Sequence, residues 1–361
     1  MKINLIIFIS EFNLGGAGNS IFKLCKNLPK DKFNITVICL NECYYKSDLL
    51  KCGIKVIEIN SNKTILGMPK VKHFVKKLIK SDQKNIFLSN IYYSNILSIF
   101  FLRSLKIKII LVERTPFQEL FIYYNFLDFF KKQIIKILIR FTFRKADACV
   151  ANSKYISKNY NKCYNLNFQT INPPSFKKLF PFIKKKKNQV CFGVVSRLSR
   201  EKKIEDLIKI LPELKGKPIL KIIGDGPEEK KLKQLVKNLN LKSRIIFCGP
   251  FNPNNIWKAI KEFDYLINTS DFEGFPNSVV EALSSGVPVI ASQSFGGIND
   301  IIKNKKFGII YNKKSDLRKT LDKVLLKKIT FKISKNVVYK HLNNFSEKKS
   351  TEKYQKLFIN V

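Results

Sequence analysis

Short, nearly uninterrupted runs of β-branched and aliphatic residues alternate with segments of helical periodicity along most of the chain. This alternation limits the available folds more than any other feature. INLIIFI (3–9), NITVICL (34–40), IKVIEI (54–59), NIFLSN (85–90) and KIKIILV (106–112) read as strands, interleaved with helical patterns such as GNSIFKLCKNL (18–28) and PKVKHFVKKLIK (69–80). Strands that are apolar on both faces belong to parallel sheets covered by helices on both sides. A second series follows the lysine run at 184–187: VCFGVVS (190–196), IEDLIKILPEL (204–214), ILKIIGDG (219–226), EEKKLKQLVKNL (228–239), RIIFCG (244–249) and DYLINTS (264–270). Between the two lies NPPSFKKLFPFIKKKKNQ (172–189), rich in proline and lysine, the best linker in the chain. At 361 residues the chain exceeds what one core usually supports. The expected fold is therefore α/β: two Rossmann-like, doubly wound parallel-sheet domains facing a central cleft. The first spans 1–178, a basic linker 179–189, the second 190–342, and a terminal segment 343–361. Ligands of such sheets bind outside the carboxyl ends of the strands, which places the expected site in the cleft.

Lys and Arg number 67 against 27 Asp and Glu, a formal net charge of +40. Such a field attracts phosphates, whether in nucleotides, nucleic acid or anionic lipid headgroups. Coding bias is the alternative source, since Lys, Asn, Ile and Phe are abundant together. A hydrophobic content of 45% excludes a disordered chain. Eight cysteines are scattered without a CxxC, and the two histidines, His73 and His341, lie near none of them, which argues against zinc and for reduced thiols. MKINLIIFIS reads as a first buried strand rather than a signal peptide, and no apolar run has the length to span a bilayer.

Several strand–helix junctions carry groups suited to anions. NLGGAGNS (13–20) is neither a Walker A loop nor GxGxxG, but its adjacent glycines let backbone approach a ligand. SRLSREKKIEDLI (196–208) sets Arg197 and Lys202 at a strand end, where they could neutralise a diphosphate or form a solvated helix start. GDGPEEKKL (224–232), with Gly226, has the same character, and most of it serves capping. SDFEGFPNSVVEALSSGVPVIAS (270–292) places Glu273 in a turn and Glu281 inside the following helix. Asn277 or Ser278 would cap a helix beginning near Val279, and Ser278-x-x-Glu281 matches a capping box, which leaves Glu273 unexplained. Its carboxylate can accept paired hydroxyl hydrogens, while amides at Phe275 to Val279 suit a phosphate. A ligand with sugar hydroxyls on both sides of a diphosphate uses all of these groups, and that ligand is a nucleotide sugar. Finally, FLDFFKKQIIKILIRFTFRKAD (126–147) could lie on an anionic membrane through Lys131, Lys132 and Lys136, or form an amphipathic core helix with its lysines outside.

EGFPNSVVEALSSGVPVIAS resembles the E-x7-E signature of the retaining, GT-B-fold family 4 (group 1) glycosyltransferases, and the resemblance covers nearly the whole chain. LGGAG falls where that family has its N-terminal Gly-Gly loop. SRLSREKKIEDLI is similar to its G-R-L-x-x-x-K block, with Ser196 for glycine. IIGDGP and FCG match its G-x-G-P and F-x-G segments, and GGINDII (296–302) its G-G-x-x-E block with Asp300 for glutamate. NNFSEKKSTEKYQKLF (343–358) resembles its terminal helices, which cross back to the first domain. The resemblance implies that Glu281 binds the nucleotide ribose and Glu273 the hydroxyls of the transferred sugar. It implies that Arg197 and Lys202 hold the departing diphosphate and that Gly16 lets the first-domain loop approach it. Gly274, Phe275, Pro276, Asn277, Ser278 and Gly226 complete the donor-binding set. Many members carry a histidine after the strand ending near Val112; LVERTPF (111–117) puts Glu113 and Arg114 there, as acceptor-side candidates.

The expectation is a retaining glycosyltransferase that moves a hexose or N-acetylhexosamine from a nucleotide-diphosphate sugar, UDP by preference, to a lipid-linked saccharide. Its setting would be surface polysaccharide or lipopolysaccharide assembly, with the enzyme peripheral on the cytoplasmic face of the membrane. No D-x-D occurs, so no metal cofactor is expected. The alternatives are the same fold with a soluble acceptor, and a nucleic-acid-binding protein, which leaves the two acids unexplained and finds its lysines spread over both halves.

Overall fold

A computed structural model of the chain describes residues 2–182, 189–252, 255–303 and 305–361. The chain divides into two compact units. One runs to Pro174 and takes in Phe345–Val361; the other is Ser175–Asn344.

The first unit is built on a parallel sheet of seven strands: β1 (Ile3–Ile9), β2 (Phe33–Cys39), β3 (Lys55–Glu58), β4 (Lys84–Asn90), β5 (Lys108–Glu113), β6 (Ala148–Ala151) and β7 (Phe168–Thr170). Their order is β3-β2-β1-β4-β5-β6-β7. β1 shows why its run is apolar throughout. Ile6 and Phe8 join one core, while Leu5, Ile7 and Ile9 join the core on the opposite face, and every residue of the strand is buried. The helix Glu347–Asn360 belongs to this unit: Tyr354, Leu357 and Phe358 enter the second of those cores, and the Phe358 ring meets Phe33 edge-on at 5.9 Å. Pro69, expected to open a helix, lies inside one that starts at Thr64, because Met68, Val71 and Val75 form a buried stripe.

The second unit repeats the design with β8 (Cys191–Val195), β9 (Ile219–Ile223), β10 (Ile245–Phe247), β11 (Tyr265–Asn268), β12 (Phe272–Glu273), β13 (Val289–Ser292), β14 (Phe295–Gly296) and β15 (Gly308–Tyr311). Its main sheet runs β10-β9-β8-β11-β13-β15, and β12 pairs with β14 beside it. Both main sheets are the doubly wound parallel type expected, and each reverses its winding beside its first strand. Residues 183–188 of the basic linker lie outside the described residues. The part that precedes them packs on the second unit, with Phe180 stacked on Trp257 at 4.7 Å. The eight cysteines are free thiols.

Candidate functional site

In the second unit the winding reverses between β8 and β11, and the chain leaves their carboxyl ends in opposite directions, opening a crevice. Lys202 lies on the segment that leaves β8, and Glu273 on the segment that leaves β11. They meet there, with Lys202 Nζ 2.8 Å from Glu273 Oε1 and both side chains largely buried. The same oxygen accepts from Ser270 Oγ at 2.8 Å and Asn268 Nδ2 at 3.4 Å. Oε2 takes no hydrogen bond among the described residues. The two segments are also joined through their backbones. Thr269 Oγ1 donates to the Lys202 carbonyl at 2.6 Å, and the Asp271 amide to the Glu201 carbonyl at 2.8 Å.

Glu273 is held from behind by the short pairing of β12 with β14. Gly296, with φ +136°, lies so close that a Cβ there would fall 1.4 Å from the Glu273 carbonyl oxygen. The Gly297 amide reaches the carbonyls of Glu273 and Gly274 at 3.3 and 3.1 Å. Gly296 and the polar strand end Asn268-Thr269-Ser270 are thus parts of the site that the sequence reading missed. The polar tail of an otherwise apolar strand was the available signal.

Arg197 is exposed, and its guanidinium has no hydrogen-bond or ion-pair partner among the described residues. It shares the strand edge with Lys202, but no hydrogen bond joins it to the Lys202–Glu273 pair. Gly226 was expected at the donor. The structure places it against Leu198, whose carbonyl oxygen would lie 2.5 Å from a Cβ at this residue of φ +153°. The Leu198 amide bonds to the Asp225 carbonyl at 2.6 Å, so this loop supports the one that carries Arg197.

The expected capping box does not form. The helix begins at Asn277 with Pro276 as its N-cap and no side-chain cap, so Glu281 falls in the second turn, half-buried. Asn277 Oδ1 accepts from Ser175 Oγ at 2.6 Å instead of capping. The Val279 amide turns onto the Pro276 carbonyl at 3.1 Å and is not open to a phosphate. Phe275 and Pro276 are buried, Ser278 partly so.

In the first unit Gly16 opens the helix Gly16–Asn27 and is exposed, directly after Gly15, in a helix start that no side chain caps. Glu113 departs from its expected acceptor-side place. It is fully buried, and Asn95 Nδ2 donates to its Oε1 at 2.6 Å. Burial raises its pKa well above the ordinary 4.5, against the pull of Asn95, Tyr160 and Arg114. Among the described residues, Glu113 Oε2 and Asn95 Oδ1 are both buried and accept no hydrogen bond. A protonated carboxyl carries a hydroxyl donor that an ionised one lacks. Arg114 is the member of the pair that reaches the strand edge: its Nε donates to Asn90 Oδ1 at 3.1 Å, and Asn90 is fixed by the Phe8 carbonyl. A cavity of about 480 Å³, lined by Lys2, Lys30, Lys55, Lys77 and Lys80 among others, opens at the opposite, amino-terminal ends of the first strands, away from these groups.

Two family models match the chain in tandem: Glycosyltransferase Family 4 over residues 14–172 and Glycosyl transferases group 1 over 175–347. An uncharacterized glycosyltransferase of Methanocaldococcus jannaschii is 28% identical over 393 aligned positions, 99% of this chain and 98% of the relative. The N-acetylgalactosamine-N,N'-diacetylbacillosaminyl-diphospho-undecaprenol 4-alpha-N-acetylgalactosaminyltransferase of Campylobacter jejuni is 26% identical over 84% of each chain. An Anabaena protein solved with UDP-glucose superposes with a TM-score of 0.79 at 16% identity, over 99% of this chain and 100% of that one.

Proposed function

The chain belongs to the group 1 glycosyltransferases of GT-B fold, and on that premise we propose that it is a retaining transferase moving a hexose or N-acetylhexosamine from a UDP-sugar to a lipid-linked saccharide. The observation that carries this reading is the Glu273 carboxylate. Three donors saturate Oε1 and fix its plane, leaving Oε2 to accept hydroxyl hydrogens of the transferred sugar. Glu281 receives the ribose. Lys202 and the unpartnered Arg197 take the charge that builds on the diphosphate as the glycosidic bond breaks, and Gly16 brings open backbone to the same group. A lysine has three donors, so Lys202 can serve a phosphate while it still holds Glu273. Only interactions that strengthen with the leaving-group charge speed the step, and fixed cations meet that condition. The Anabaena neighbour's UDP-glucose supports the donor, and the Campylobacter relative's diphospho-undecaprenol substrate supports an acceptor carried on lipid. Arg114 is the acceptor-side residue of this reading, which places the enzyme peripherally on the cytoplasmic face of a membrane that assembles surface polysaccharide. Among the described residues no helix is long and apolar enough to cross a membrane.

The test is product analysis. Purified protein is incubated with a panel of UDP-sugars and with lipid-linked or short soluble acceptors, and the anomeric configuration of each product is read by NMR. Retention on a lipid-linked acceptor is expected. Glu273→Ala, Arg197→Ala and Lys202→Ala should each lower kcat by about 100- to 1,000-fold with the fold intact. An inverted product, or turnover abolished by EDTA and restored by magnesium, would overturn the mechanism. Transfer to soluble acceptors alone would replace the acceptor assignment.

A further inference from the structure

The helix Phe126–Thr142 is apolar on two sides. Ile135, Ile139 and Thr142 are buried against the first unit's core. Away from that core, Phe126, Leu127, Phe130, Ile134, Ile137 and Phe141 are all exposed, Phe126 at 75% and Leu127 at 80%. At ~100° per residue these six fall within an arc of roughly 100°, centred on the side facing solvent. A helix with lysines along its outer face, one of the two sequence-based expectations, is therefore not what forms. The cations take the borders of the arc. Lys131 is exposed on one border; Lys136 and exposed Arg140 lie on the other. Lys136 Nζ sits 3.8 Å over the Phe121 ring and donates to the Tyr123 hydroxyl. Lys132, grouped with Lys131 and Lys136 by the sequence, is excluded. Its side chain is buried, paired with Asp128 Oδ2 at 2.9 Å and with the Ile122 carbonyl.

We infer that this face lies flat in the surface of an anionic lipid leaflet, with the six apolar side chains below the headgroups and Lys131, Lys136 and Arg140 at the lipid phosphates. The inference rests on the membrane-carried acceptor proposed above and adds the surface, its orientation and its residues. An apolar stripe this wide bordered by cations matches the two layers that a leaflet presents, apolar chains under a negative plane. A second copy of the chain matches it less well. Two such faces opposed would bring like charges together along both borders, in a molecule of net charge +40.

The test uses the full chain and vesicles of phosphatidylcholine, with and without phosphatidylglycerol. Wild type should sediment with the anionic vesicles at low salt and stay partly bound at high salt, because the apolar contact is not screened. The triple variant Lys131→Gln, Lys136→Gln, Arg140→Gln should lower low-salt partitioning at least tenfold. Phe130→Ser, Ile134→Ser, Ile137→Ser should abolish the salt-resistant fraction, while its thermal unfolding stays near wild type because these side chains are exposed. Lys132→Gln should lower the melting temperature, and its folded fraction should bind like wild type. Absence of vesicle binding by wild type overturns the inference, as does lipid-free dimerisation that the serine variant abolishes. Vesicle binding without transfer to any lipid-linked acceptor keeps this surface and removes the acceptor reading. Transfer in detergent by a protein that ignores vesicles does the reverse.

Discussion

At the residue scale, two glutamates of one chain are placed in opposite electrostatic settings. Glu273 has a lysine and two neutral donors on one oxygen, whereas Glu113 is fully buried, and desolvation there outweighs the pull of Asn95, Tyr160 and Arg114. An ionised carboxylate in the second setting is costly, and the carboxyl holds its proton instead. Its folded pKa is raised, so native protein binds that proton more tightly than the unfolded chain does. The associated stability is complete below the unfolded carboxyl range near about 4.3, and is lost as pH rises toward the folded pKa. Glu113→Gln has no proton to lose and keeps a partner for Asn95. The melting temperature of Glu113→Gln minus that of wild type should therefore increase steadily from pH 5 to pH 8. A difference that is flat across that range would mean the carboxyl is not held neutral. Glu113→Ala takes one of two acceptors from the Asn95 amide, leaving it the Val112 carbonyl, and should cost about 1–3 kcal/mol.

At the scale of elements, the smallest strands do the positioning. The pairing of β12 with β14 holds the backbone of Glu273, and it needs Gly296 because any side chain would meet the Glu273 carbonyl. Gly296→Ala should force these strands apart. A displacement of about 1 Å in a reacting group costs on the order of 100-fold in rate. The expected outcome is a kcat loss of that size with a modest fall in melting temperature, measured side by side on the purified variant. Full turnover in Gly296→Ala would show that Glu273 is not positioned by this pairing. The same scale explains why the capping box at Ser278-x-x-Glu281 does not form. Ser278 and Glu281 have capping-box spacing, but the helix starts at Asn277, so Ser278 is already inside it and has no cap to form.

At the scale of the molecule, the two units differ in how the chain closes them. The second is continuous from Ser175 to Asn344; the first is completed by a helix from the far end of the sequence. That helix supplies Tyr354, Leu357 and Phe358 to the core, a Glu347–Lys23 ion pair at 3.4 Å and a Ser350 hydroxyl on the Asn172 carbonyl at 2.8 Å. Losing large buried side chains costs about 2–5 kcal/mol each, and three together approach the roughly 5–15 kcal/mol that holds a domain. A chain truncated before Ser346 should therefore lose the first unit and keep the second. Limited proteolysis followed by mass mapping would read this as rapid cleavage before Pro174 with a resistant fragment from about Ser175 onward. Equal protection of both units would show the helix to be dispensable.

The run INLIIFI determined a buried parallel strand by itself, because a strand apolar on both faces has no other stable environment. The same local logic located the two strand–helix series, and the resemblance carried by EGFPNSVVEAL located Glu273 and Glu281. Short strands such as Ala148–Ala151 and Phe168–Thr170 were not legible, since a few residues beside longer helical patterns carry no period of their own. Nor was the pairing of Lys202 with Glu273, 71 residues apart. It follows from β8 lying next to β11, and strand order is set by which faces the helices cover, not by any local pattern. The two apolar sides of the Phe126–Thr142 helix were visible as composition. Which side meets the core was decided only by packing, because periodicity ranks faces by hydrophobicity and here both rank alike.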